Sequence, residues 1–439
     1  MCPTFETRLR ECLAQTPLLS RLPTLAGPLL ERRAKDAASE ALDGANLEGL
    51  ARVIASNADA ARFLSHRPSL LERIATASPQ VLQTRGRELE TLPAAHQGDL
   101  ERFLEWLRLT RRDETTLAAC LDLSGSLPFE AISVFLSQLA EACTRWALEE
   151  AQAQISAERG PVLSVLGMGK VAGREFTYHS DLDLIFLYPD DVTEPVQASR
   201  TAQRLIQYLT TMTGAGVAYA VDSRLRPSGR QGALVSTHQA FERYQSERAA
   251  TWEHLALMRA RAIAGDIPQA QEVLRRARAA VLQEATRPWP AIAEMRARVE
   301  QERGRGSSDC VPLKTGAGGL MDVEFLAAGG LLERGLWPAS DEPPSVAWML
   351  HGTARGPKLE RLMEGYHFLR RVEARNRWMT GRGDESLQLN TENIDVLAEL
   401  VEPGLSPAQL TTRIEDVRST IRTGYAAVVA AGTIDALCS

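Results

Sequence analysis

Two aspartates, Asp181 and Asp183, stand in the run Asp181-Leu182-Asp183-Leu184-Ile185-Phe186-Leu187. The β-branched and aromatic content of this run predicts a buried strand. Side chains alternate along a strand, so the two carboxylates share one face and Leu182 and Leu184 take the other. Their Cα atoms would lie about 6–7 Å apart. Two carboxylates on one face of an otherwise apolar strand repel each other and are costly to desolvate, and a shared divalent cation relieves both problems. The competing reading is a solvated pair at a strand end.

Two further segments point the same way. Gly167-Met168-Gly169-Lys170-Val171-Ala172-Gly173 precedes the pair by about a dozen residues. Glycines there would let backbone N–H groups approach a phosphate, with Lys170 as a positive charge and Ser180 as a hydroxyl donor or a turn cap. By itself this is no more than a tight turn. In Val221-Asp222-Ser223-Arg224-Leu225-Arg226-Pro227, an extended chain would put Asp222, Arg224 and Arg226 on one face. Asp222 would complete a metal site or accept a proton, and the arginines would grip phosphate oxygens; the bland alternative is a surface ladder of ion pairs. Lys314, ahead of Gly316, Gly318 and Gly319, would reach a phosphate or Glu324, or else sit in a plain turn before a helix from Leu320. Two-metal phosphoryl or nucleotidyl transfer needs this inventory. One Mg²⁺ would align a nucleoside triphosphate, and a second would lower the pKa of the attacking hydroxyl.

The elements that must position these residues are mostly helical. The β signal is confined to Val162–Leu166, Asp181–Leu187 and Val217–Leu225, with a helix at Ala198–Thr211 between the last two. Residues 47–83 predict two or three short helices broken at Ser56-Asn57 and Pro68. Ile132, Phe135, Leu136, Leu139, Cys143 and Trp146 make one apolar stripe, as do Leu362, Tyr366, Leu369 and Val372. Arg303–Ser308 and Pro338–Pro344 are expected loops. Glu253 and His254 are expected in a packed helix, with Glu253 ion-paired to Arg259 or Arg261, and Leu369–Glu373 is expected as a solvated or interhelical charged face. His179 is expected as a hydrogen-bonded turn residue. The fold class is α+β, mostly helical, divided as 1–125 helical, 126–285 mixed core and 286–439 helical bundle.

Composition bounds the function classes. With 50 basic and 56 acidic residues among 439, the net charge is −6, which argues against a general nucleic-acid binder. The six cysteines are scattered without a C-x-x-C pair, and no stretch reads as a leader or a membrane span. A soluble cytoplasmic protein is expected.

The run Gly167–Glu175 followed by Ser180–Leu184 resembles the nucleotidyltransferase motif of glutamine synthetase adenylyltransferase. The similarity continues through Val221–Gly229, Thr251–Arg261 and Leu313–Phe325, with weaker echoes at Phe63–Leu71 and Tyr366–Glu373. The resemblance implies a nucleotidyltransferase-fold β-sheet core flanked by helical bundles, and Mg²⁺ and ATP as cofactor and substrate. It implies that Asp181, Asp183 and Asp222 are the metal ligands, and that AMP is attached to a tyrosine of glutamine synthetase. Family members usually carry two catalytic halves, one adenylylating and one removing AMP by phosphorolysis, governed by glutamine and a PII signalling protein. The resemblance implies one such half in this sequence. Trp252-Glu253-His254 and Gly319–Phe325 are more similar to the adenylylating half. His179 departs from the family, which commonly has serine there. A phosphorolytic half and a non-catalytic nucleotide-sensing module are the alternatives.

Overall fold

The stripe through Trp146 becomes a long helix, Phe129–Ile155, in which all six expected positions are buried. A computed structural model describes residues 3–34, 36–155, 163–191, 195–284, 288–307, 309–338, 342–389 and 393–438. Cys2, Val162, Ser308 and residues 339–341, which figured in the expectations above, lie outside these. Four helices, Gly44–Ser56, Ala58–Ser65, Pro68–Ala75 and Pro79–Thr91, replace the two or three expected. Asn57 starts the second by accepting from Ala60 N at 2.9 Å, and Ser78 starts the fourth by accepting from Val81 N at 3.2 Å. Among the described residues no helix is long and apolar enough to cross a membrane.

Among the described residues five strands form the central sheet: β1 Ser164–Met168, β2 Leu182–Tyr188, β3 Val221–Asp222, β4 Val235–Thr237 and β5 Ala260–Gly265. The order is β3-β2-β1-β5, with β4 also on β2. β1 runs antiparallel to β2 and β5, whereas β3 and β4 run parallel to β2, one beside its first residues and the other beside its last. Between β2 and β3 lies the helix Pro195–Thr210. A second, two-stranded antiparallel sheet joins β6 Cys310–Pro312 to β7 Ser386–Gln388. The α+β, mostly helical class holds.

Strand alternation assigns each face of the large sheet to a different core. Leu182, Leu184 and Phe186 pack with the N-terminal helices and with Phe129–Ile155. Ile185 and Leu187, with Leu166 and Met168 of β1, pack against helices that follow residue 237. Asp183 shares the parity of Ile185 and Leu187, so it opens toward the C-terminal helices.

One strand is much shorter than expected. Val217–Leu225 shrinks to Val221–Asp222: it starts late because Ala218 N and Tyr219 N donate to Leu209 O, and it ends early because the Asp222 carboxylate accepts from Arg224 N at 2.8 Å and turns the chain. An aspartate that bonds the backbone two residues on competes with the sheet ladder and ends it. Asp222, Arg224 and Arg226 therefore do not share a strand face.

Candidate active site

β1 delivers the chain to Gly169, whose φ of 55° is a left-handed conformation that glycine adopts without strain. A Cβ there would lie 3.5 Å from Asp183 Oδ2, so the bare backbone forms one wall of the aspartate site. Lys170 follows in the short helical turn Gly169–Ala172. Across from this wall, Asp183 on β2 is in register with Asp222 on β3, which sets the two carboxylates side by side. These residues, with Ser180, Asp181, Arg224, Lys314 and His179, line a cavity of about 180 Å³. Larger cavities exist elsewhere, and convergent charge rather than size marks this one.

Asp181 and Asp183 have no hydrogen-bond or ion-pair partner among the described residues. Burial pushes Asp183 up to about 6, and Asp222 and Asp181 push the same way against Lys314 and Lys170. Asp222 differs. Burial would raise it too, but the Arg224 guanidinium, 2.9 Å from Oδ1 through Nε, holds it below the ordinary carboxylate range. As the side chains stand, no three His, Cys, Asp or Glu residues among those described are gathered closely enough to hold a metal ion. The donor chemistry nonetheless fits a hard divalent cation: acceptor-only carboxylate oxygens, two residues of them free of other bonds. Asp222 is the member engaged elsewhere.

The basic residues are placed less simply than their types suggested. Lys170 Nζ bonds Glu373 Oε1 at 2.6 Å, and burial lowers its pKa to about 7 against the pull of Glu373. Glu373 also meets Arg370 at 2.6 Å and Arg377 at 3.1 Å. Despite burial, these cations keep it ionised. Lys314 Nζ pairs with Glu385 at 2.9 Å. It arrives there because β6 pairs with β7 and Leu313 N donates to Glu385 O at 3.1 Å. Burial opposes its charge, but Glu385 and Glu324 raise its pKa.

Three expected site residues take other roles. Gly167 lies inside β1, where a Cβ would come 2.9 Å from Val171 Cγ1, so its smallness serves packing and it does not line the cavity. Arg226 turns back on its own loop, donating to Ser223 O at 2.7 Å and Gly232 O at 3.3 Å. Ser180 is on the cavity wall, yet its hydroxyl is 2.7 Å from Thr177 Oγ1 and accepts from Arg377 Nη1 at 3.2 Å. His179 has φ 53° and lines the cavity; burial, then Arg111 and Arg377, push it down to about 4, so it is a neutral imidazole at pH 7.

Glu324, Arg259, Arg377 and Glu385 also line the cavity and were not anticipated as site residues. Arg259 joins Glu324 at 3.1 Å and also pairs with Glu175, while Arg261 pairs with Glu141. Glu253 therefore has neither arginine; it accepts from Tyr244 Oη at 2.7 Å and from Ala250 N at 2.9 Å, closing its own helix start. Arg370, Glu373 and Arg377 repeat at helical spacing on Pro357–Thr380, and that spacing beside Leu369 and Val372 was the available signal of a buried charged face.

A sequence model of the family described as glutamate-ammonia ligase adenylyltransferase matches residues 47–276. That stretch holds Asp181, Asp183 and Asp222 but not Lys314, Glu324 or Glu373. Among curated proteins, the chain is 36% identical over 290 residues to a bifunctional glutamine synthetase adenylyltransferase/adenylyl-removing enzyme of Chromobacterium violaceum, covering 64% of this chain and 32% of the relative. The namesake from Thioalkalivibrio sulfidiphilus is 32% identical over 314 residues, 65% of this chain and 32% of its own. That of Xanthomonas campestris pv. campestris is 42% identical over 220 residues, 45% and 23% respectively. The chain thus spans about a third of the length of the first two relatives.

Proposed function

The chain belongs to the glutamate-ammonia ligase adenylyltransferase family, and from that premise we propose that it moves AMP from ATP to a tyrosine of glutamine synthetase in a Mg²⁺-dependent reaction. The observation that carries this reading is the Asp183–Asp222 register with Asp181 beside it, facing Lys314 and Lys170 across one cavity. Asp181, Asp183 and Asp222 would hold Mg²⁺, which when bound supplies charge for aligning a triphosphate and acidifying a hydroxyl.

The chain's own groups do the rest. Asp222, held low by Arg224, stays anionic and suits a cation better than a proton. Lys314 at the cavity wall and Arg224, its side chain 58% exposed, offer positive charge to phosphate oxygens. Gly169 brings the backbone close enough for a phosphate to approach the carboxylates. Lys170 and Arg377 are fixed through Glu373, and that fixed geometry limits reorganisation when a charged substrate enters. The division into 1–125, 126–285 and 286–439 belongs to the same proposal; helix Phe129–Ile155 begins near its first boundary and helix Ile267–Glu284 ends near its second.

Incubating the protein with ATP labelled in the α-phosphate, Mg²⁺ and glutamine synthetase tests the reading. Label on the synthetase, absent with Asp183→Asn, is the expected result. No label with Mg²⁺, but ADP release from adenylylated synthetase on adding phosphate, would reassign the chain to removal. Neither activity would leave a nucleotide-sensing module.

A further inference from the structure

Four buried polar atoms that make no hydrogen bond among the described residues gather in one place: Arg296 Nη1, Glu300 Oε2, Arg422 Nη1 and Tyr425 Oη. All four residues line a cleft of about 560 Å³ between helix Trp289–Arg303 and helix Pro407–Ala431. The cleft shares no lining residue with the aspartate cavity. Arg296 is 1% exposed and Tyr425 5%. Arg422 Nη1 stands 3.2 Å from Glu300 Oε2 and 3.6 Å from Asp322 Oδ2, and Arg296 Nη1 stands 3.5 Å from Glu300 Oε2. These are ion-pair separations without hydrogen-bond alignment, so the guanidinium donors keep unused directions. Arg305 adds a third arginine to the lining, against Glu300 in the lining and Asp322 behind it.

Buried donors are nearly always satisfied in folded proteins; here the two guanidinium nitrogens have only ion pairs to Glu300 and Asp322, and Tyr425 Oη has no partner among the described residues. We infer that this cleft binds a small oxyanion, a phosphate or carboxylate group, held by Arg296 Nη1, Arg422 Nη1 and Tyr425 Oη. Planar guanidinium forks match such oxygens, and the tyrosine hydroxyl adds a neutral donor. Burial pushes Tyr425 up to about 12, which keeps that donor protonated. Glu300 competes with the ligand for both arginines.

The site backs onto the loop that carries Lys314. Arg296 Nη2 donates to Gly316 O at 2.7 Å, and its Nε bonds Asp322. Asp322 in turn accepts from Gly318 N at 2.8 Å, and Arg418 Nε donates to Ala317 O at 3.1 Å. An anion that holds Arg296 therefore stiffens the turn behind Lys314.

Calorimetric titration of the full chain with inorganic phosphate, and separately with succinate, distinguishes the two ligand sources. Saturable binding of at least one is expected. Arg422→Gln should weaken it by about tenfold or more, since a charge-assisted hydrogen bond is lost. Tyr425→Phe should weaken it less, and Glu300→Gln should tighten it because the competing carboxylate is gone. Amide exchange at Gly316–Gly319 should slow on saturation. Unliganded melting curves identify a variant that has merely misfolded. The inference is overturned if neither anion gives saturable binding, or if folded Tyr425→Phe and Glu300→Gln both bind as the unaltered chain does. Phosphate held in the aspartate cavity would give that second result.

Discussion

Asp183 and Asp222 sit in register, yet their environments are opposite: one lacks a bonded partner among the described residues, and the other is clasped by Arg224. The Asp183 pKa rises from 3.8 to about 6 on folding. The folded chain then binds the proton more tightly than the unfolded one, so stability falls as pH rises through that window. Asp183→Asn, measured in chelator, should melt higher than the unaltered chain at pH 7.5 and at the same temperature near pH 4. In the labelling assay the same variant should lose activity by about a hundredfold or more, as removal of a key charged group in a preorganised site does. Thiols give a second check. Cys120 and Cys143 are buried, and burial pushes the Cys143 thiol up to about 12. Alkylation at pH 8 should modify exposed Cys438 and spare those two until denaturant is added, as peptide mass spectrometry will read. At this scale the aspartates were legible in sequence because carboxylates on an apolar strand stand out. Glu324 was reached only as an alternative partner of Lys314 and Glu373 only within a solvated or interhelical charged face; Arg377 was not anticipated, because charged residues on a helix read as solvated until tertiary packing closes over them.

The helix Pro357–Thr380 is the element that organises the cavity's cations. Its Glu373, 1% exposed, faces Lys170, Arg370 and Arg377 together. Glu373→Gln would take from three crowded cations the one carboxylate that pairs with them all, a change expected to cost about 3–5 kcal/mol in urea unfolding. The Lys314 turn is the second such element. Gly318 has φ 70°, and a Cβ there would collide with Arg418 O. Gly318→Ala should displace the turn, lower transfer activity and lower the melting temperature by the equivalent of about 1–3 kcal/mol. The helical stripes, β2 and the start of Leu320–Arg334 were legible from periodicity and turn residues. The early end of β3 was not, because the bond that the Asp222 carboxylate accepts from Arg224 N leaves the apolar pattern of Val217–Leu225 untouched.

Across the whole molecule, the large sheet belongs to two cores at once. Val165, Leu182, Leu184 and Phe186 seal one, and Leu166, Met168, Ile185 and Leu187 seal the other. A fragment ending at residue 284 would keep Asp181, Asp183 and Asp222 but strip the second core of everything from Trp289 onward, exposing apolar faces that those later helices cover. It should be aggregated by size-exclusion chromatography, whereas the full chain elutes as a folded species. The topology also carries a timing. β2 finds its parallel partners only after long excursions of chain, with Asp183 waiting for Asp222 and Phe186 for Val235. Lys314, just after β6, then waits for Glu385, just ahead of the strand β7 that pairs with β6. Local helices form early and closures across long loops come late. During synthesis, then, no growing chain that stops short of that last strand holds an assembled cavity.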